Sequence, residues 1–206
     1  MWSAGLWMML ATGCVFGPVS GAARIQSSRD APWKPGRVLA YWIQTTSEGS
    51  GETADSGGGS GSYGRASGYG TLFLVDSDRL DCDTLLSRRW PEGDWGVLGD
   101  GLILTLGYER YVDDAEDAEA PGFPGLYLSG ASYSYSSGTS SYRAMDVYAI
   151  YDGYLSAVSF YSFALDPSWA RVDVADDEQV KGEFFTDTWE GRFNALNCGE
   201  VEQGSW

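Results

Sequence analysis

The stretch Arg143-Ala144-Met145-Asp146-Val147-Tyr148-Ala149-Ile150-Tyr151-Asp152-Gly153-Tyr154 decides the fold class. In it Met145, Val147 and Ala149 alternate with Ala144, Asp146 and Tyr148, the period of two that sends successive side chains to opposite faces of a strand. Asp152-Gly153 is the dipeptide that tight two-residue hairpins select, because both central positions need positive φ. Tyr154 to Phe163 is therefore predicted to return as the partner strand.

Working outward, Trp169 to Val174 alternates in the same way, with Ala170, Val172 and Val174 on one face. Beyond it lies a final pair, Gln179 to Thr186 and Glu190 to Asn197, joined by Asp187-Thr188-Trp189. Upstream, Val38 to Ile43, Thr71 to Val75, Gly101 to Leu106 and a short run around Leu126 read as further strands. Asp76 to Leu86 has room for one helical turn, and no segment of 12 residues holds a 3.6-residue period. The expected fold is all-β: an antiparallel β-sandwich or partly open barrel with long Gly/Ser-rich and acidic loops. Ser47 to Gly70, with nine glycines and six serines, is assigned to a flexible loop, and Asp113 to Pro124 to an acidic one. Inside the first, Gly59-Ser60-Gly61-Ser62-Tyr63-Gly64 fits a dinucleotide-binding pattern without the strand before it and helix after it that a phosphate cradle requires.

Composition narrows the chemistry. Hydrophobic residues make up 43% of the 206, and aromatic residues 15%, enough for a packed core despite 28 glycines. There is no histidine, which excludes Ser-His-Asp and Cys-His centres and His-ligated metals. The 13 basic residues face 29 acidic ones for a net charge of -16, a field that repels nucleic acid. What remains is carboxylate catalysis or an oxygen-ligand cation site.

Met1 to Ala23 carries no charged side chain, and Trp2 to Leu10 is an apolar run of signal-peptide length, too short to span a bilayer. The Leu10-Ala11-Thr12-Gly13-Cys14 that follows resembles the lipobox of bacterial lipoproteins, with Ala11 where leucine is usual. That resemblance implies cleavage before Cys14, acylation of Cys14 and a lipid anchor. Val15, in place of an aspartate, implies the outer membrane or cell surface. Ordinary cleavage near Ser20-Gly21-Ala22-Ala23, giving a secreted or periplasmic protein, is the alternative. The expected organisation is a signal peptide at 1–13, a tether at 14–36, one β domain at 37–200 and a tail at 201–206. With Cys14 set aside, Cys82 and Cys198 are an even pair in an oxidising compartment and are predicted to form a disulfide. The ending Gly191-Arg192-Phe193-Asn194-Ala195-Leu196-Asn197-Cys198 resembles the terminal hairpin of small secreted lipoproteins from myxobacterium-type genomes. This resemblance implies an exported β-sandwich and no particular activity.

Three groups of residues are candidates for function. Asp76, Asp78, Asp81 and Asp83 are hard oxygen ligands for calcium, although Asp81 and Ser87 stand where an EF-hand loop needs glycine and glutamate. Asp146 and Asp166 are the first carboxylates to consider for a hydrolase. Tyr133, Tyr135, Tyr142 and Tyr148, near Tyr151, Tyr154 and Tyr161, offer rings for stacking on sugars or on a cell-envelope protein. The expected role is structural or interactive and non-catalytic, without a required cofactor. Carbohydrate binding through the tyrosines and carboxylate hydrolysis are the alternatives.

Overall fold

The computed structural model describes residues 21–54, 60–77, 80–87, 95–112, 122–129, 131–136, 139–159 and 168–201. The elements, in chain order, are β1 (Ala22–Ser27), β2 (Val38–Ala54), β3 (Ser60–Val75), α1 (Cys82–Ser87), a 3-10 turn (Trp95–Leu98), β4 (Gly101–Val112), β5 (Tyr127–Ser129), β6 (Ala131–Ser136), β7 (Thr139–Tyr151), β8 (Tyr154–Ser159), β9 (Trp169–Ala175), β10 (Gln179–Phe185) and β11 (Trp189–Glu200). The strands form one sheet in the order β5-β9-β10-β11-β1-β2-β3-β4-β7-β6, with β8 on the same side of β7 as β6. Pairing is antiparallel except where β11 leaves β1 and runs parallel to β2, Leu196 opposite Tyr41. The chain is thus all-β, in a sheet that is not closed into a barrel.

The sheet folds over on itself. β5, at one end of the order, lies against β7 and β6 at the other without joining them in a ladder. The main core fills the space between, with Val38, Ala40, Trp42, Leu72, Leu74, Leu102, Leu104, Met145 and Val147 facing Ala170, Val172, Val180, Phe184, Phe193 and Ala195. Alternate residues of β2, β3, β4 and β7 point the other way into a second cluster of Leu39, Tyr41, Ile43, Phe73, Val75, Ile103 and Ile150, capped by Leu80, Leu85 and Leu98. Burial on both faces explains why Val38 to Ile43 and Leu102 to Leu104 are unbroken apolar runs.

Several expectations need correction. Ser47 to Ala54 and Ser60 to Gly70 are paired strand, with β2 and β3 in register from Leu39↔Val75 to Ala54↔Ser60. Two of their glycines follow from cross-strand rings: a Cβ on Gly70 would lie 1.9 Å from Trp42 Cζ2, and one on Gly68 would lie 2.4 Å from the Tyr108 hydroxyl. Trp42 and Tyr108 in turn pack edge-on against Phe123, at 5.0 and 5.5 Å between centroids. The expected tether at 14–36 is part of the domain from Gly21 onward. β1 pairs with β11 along its whole length, and Ala31 and Trp33 are core residues. Val174 is exposed instead of sharing a face with Ala170 and Val172, because a bulge opposite Lys181 and Gly182 shifts the alternation by one residue and brings Ala175 inward.

Candidate ligand-binding face

The structure joins Cys82 to Cys198, Cα atoms 5.1 Å apart, across 116 residues of sequence. This bond ties α1 to β11 beside the second cluster. Asp81 caps that helix, its Oδ1 accepting the Thr84 amide at 2.8 Å, and hydrogen bonding to Thr84 holds its carboxyl below the usual range. Asp76 and Asp83 are exposed, Asp78 lies outside the described residues, and among the described residues no group of three acidic or cysteine side chains is arranged to hold a metal ion. Cys14 and Asp166 also lie outside the described residues.

The predicted tyrosines divide. Tyr148 is half-buried, and its ring packs against the second cluster. Tyr133 and Tyr142 are directly opposed in the β6–β7 ladder and Tyr135 faces Ser140, with their side chains outside the described set. Tyr151 and Tyr154 flank the Asp152-Gly153 turn, 49% and 76% exposed, beside a groove of about 480 Å³ that also includes Thr188.

Asp146 and Glu109 lie on one face of β7 and β4, around a small cavity of about 120 Å³ lined also by Tyr69 and Thr105. Tyr69 lies over Gly107 and donates to Glu109 Oε1 at 2.8 Å, Arg65 pairs with the same oxygen at 2.8 Å, and Tyr111 donates to Oε2 at 3.0 Å. Burial would raise the Glu109 carboxyl, but these three donors and the Arg65 charge outweigh it and hold it low. Burial raises Asp146, whose Oδ1 has no hydrogen-bond partner among the described residues. Opposed shifts of this kind mark acid–base pairs in hydrolases. Here the register, with Asp146 opposite Thr105 and Glu109 opposite Tyr142, sets their backbone positions four residues apart along the strand, about 14 Å. Glu109 is committed to three donors, which brace β3 to β4.

The face best suited to a ligand is the outer surface of β9, β10, β11 and β1. Cross-strand register lays two ribs across it. One reads Tyr127, Arg171, Glu183, Arg192, Arg24 from β5 to β1, and the next reads Ser129, Trp169, Phe185, Glu190, Gln26. The rings of Tyr127, Trp169 and Phe185 stand nearly parallel, with centroids 5.7 and 6.4 Å apart and interplanar angles of 25° and 15°. Glu183 is held between Arg171 at 3.0 Å and Arg192 at 3.5 Å, and Arg171 also pairs with Asp173 at 2.7 Å. Arg24, Trp169, Glu183, Phe185, Glu190 and Arg192 line a groove of about 510 Å³. Tyr127 is half-exposed and Arg192 almost wholly so.

None of these residues was singled out from sequence, though a signal exists. Where Ala170, Val172 and Phe184 point inward, period two sends Trp169 and Phe185 outward, and outward-facing rings of that size need a reason. No family model matches this chain, and no curated protein or solved structure is similar to it.

Proposed function

We propose that this chain is an exported, lipid-anchored protein of the cell envelope with a binding role, and that its ligand is a glycan chain lying across β9, β10, β11 and β1. The observation that carries this reading is the row of three near-parallel rings beside a Glu183 clamp held by two arginines. Aromatic rings stack on the apolar faces of sugar rings while fixed charged groups take their hydroxyls. The groove's 510 Å³ falls in the range of small-ligand sites, about 300 to 1,000 Å³. A stable protein partner typically covers roughly 800 Å² around an apolar centre, and three rings, two of them half-buried, do not supply one.

Two observations support export and anchoring. A disulfide between Cys82 and Cys198 suits an oxidising compartment. Gly21 is buried at the fork where β11 passes from β1 to β2, its carbonyl accepting the Ala40 amide, and a Cβ there would lie 1.8 Å from the Ala40 oxygen. Ala22 and Ala23 make all of the β1–β2 pairing. Cleavage after Ala23 would remove these contacts, so the geometry favours a cut upstream, as at Cys14. An acylated Cys14 would then hang the domain on at most about 24 Å of extended chain.

The full-length gene, expressed with its own leader in a bacterium that has an outer membrane, tests both parts. Mass spectrometry of the detergent-extracted protein is expected to show acyl chains on Cys14, and Cys14→Ser to release the protein from membranes. On a glycan array, binding is expected that Trp169→Ala weakens at least tenfold and Tyr154→Ala leaves within twofold. An array with no signal would remove the glycan reading, and a mature chain beginning at Arg24 would remove the anchor.

A further inference from the structure

We propose that the glycan is anionic, its sugar rings bearing carboxylate or sulfate groups, and that Arg24 and Arg192 are the pair that holds the charged group. This rests on the reading that the two-rib face binds a glycan, and it goes beyond that reading in naming the ligand's charge and the residues that select it.

Arg24 and Arg192 are direct cross-strand partners in the β1–β11 ladder, and both side chains are on the exposed face. Like charges placed directly opposite on a sheet oppose its pairing. The chain has 29 acidic residues against 13 basic ones, so an acidic side chain to separate two arginines is the commonest charged neighbour available. Yet Arg24 makes no ion pair among the described residues, and Arg192 makes only the longer contact, 3.5 Å, to a Glu183 that Arg171 holds at 3.0 Å. Along that rib three arginines stand against one glutamate, and Asp173 balances Arg171 from the side away from the groove. The remaining groove acid, Glu190, belongs to the aromatic rib. Arg24 and Arg192 are therefore the positive end of the groove, and Trp169 and Phe185 its apolar end.

Guanidinium is the group suited to this task, because its planar fork matches the two oxygens of a carboxylate or sulfate. A ring stacked at Trp169 and Phe185, in a chain running across the strands, would carry the substituents of a neighbouring unit to β11 and β1, one and two strands further at about 4.8 Å each. The protein's overall charge of -16 does not prevent this. At physiological ionic strength screening sets in over ~8 Å, so the arginines in contact outweigh acids elsewhere on the surface. Nucleic acid, with a charge every ~1.7 Å of duplex, would still be repelled along its length.

Titration calorimetry on the complete mature protein tests this with four oligosaccharides of matched length: an oligogalacturonate, its methyl ester, a sulfated oligosaccharide and a neutral cello-oligosaccharide. The oligogalacturonate, the sulfated oligosaccharide or both are expected to bind at least tenfold more tightly than the ester and the neutral chain, and their ratio tells carboxylate from sulfate. Arg24→Gln combined with Arg192→Gln is expected to bring the preference within twofold. Trp169→Ala is expected to weaken all ligands. Because the double substitution removes a like-charge pair, its melting temperature should be no lower than that of the parent, so loss of preference does not reduce to loss of fold. Binding of the ester or the neutral chain as tight as that of both anionic chains, or a preference that survives the double substitution, overturns the anionic assignment and leaves the glycan reading intact. Absence of binding to all four removes both.

Discussion

The two halves of the sheet carry their faces differently. β2, β3, β4 and β7 are covered twice at their base, by the main core on one side and by α1, the 3-10 turn and Leu80 on the other. β9, β10, β1 and the first half of β11 are covered once, and their outer face carries rings and charges. The doubly covered half is written in continuous apolar runs and the singly covered half in alternation. The cover itself is slight. A six-residue helix does not stand alone. It stays in place through Leu85, through the Tyr41 hydroxyl donating to the Leu80 carbonyl, and through Cys82–Cys198. The face held by a covalent bond is the one buried for stability, and the face left free is the one available for binding.

The strongest way to break that contrast is to cut the bond. Cys82→Ala with Cys198→Ala releases a 116-residue separation, for which chain entropy gives about 4 to 5 kcal/mol as an upper figure. Denaturant unfolding should show that loss, and hydrogen exchange should rise first in α1 and in Leu39 to Ile43, leaving β9 and β10 protected. Equal deprotection of both halves would mean that the cover is not a separate unit. Next in size is Gly70→Ala. The added methyl would meet the Trp42 ring at 1.9 Å, and since Trp42 is fully buried the sheet must shift to admit it. A cost of about 3 kcal/mol is expected, at the upper end of what overpacking brings. If melting is unchanged, the ring does not lie where the structure has it.

Much of this was legible in the chain. Arg143 to Tyr151 and its Asp152-Gly153 turn gave β7 and β8 because every informative residue is local. The cysteine pair was legible by counting. Gly68 and Gly70 were misread because what requires them, the rings of Tyr108 and Trp42, lies on other strands and far away in sequence. β1 was missed for a similar reason. Arg24-Ile25-Gln26 is too short and polar to register as a strand, and it becomes one by filling a gap between β11 and β2. The tyrosines drew attention by number, while the ring row of Tyr127, Trp169 and Phe185 is assembled from three strands and exists only once their register is known.

The smallest effects separate the two carboxylates on the face of β4 and β7. Glu109 has a lowered folded pKa, so its contribution to stability is fully present above the ordinary glutamate value of about 4.3 and is lost as pH falls through the folded value. Glu109→Gln should cost roughly 1 to 2 kcal/mol at pH 7, from the charge-assisted bonds of Arg65, Tyr69 and Tyr111, and progressively less in acid.

Asp146 has the opposite sign. Burial raises its folded pKa, so the folded state is penalised once the group ionises. The penalty is absent below the ordinary aspartate value of about 3.9, develops as pH rises from there, and is complete above the folded value. Asp146→Asn should therefore stabilise at pH 7 and have no effect near pH 3. Melting curves of the two variants across that range should diverge in opposite directions from the parent as pH increases. A destabilised Asp146→Asn at pH 7 would show that its buried oxygen has a donor after all, and that the cavity beside Tyr69 and Thr105 is built around a charged carboxylate.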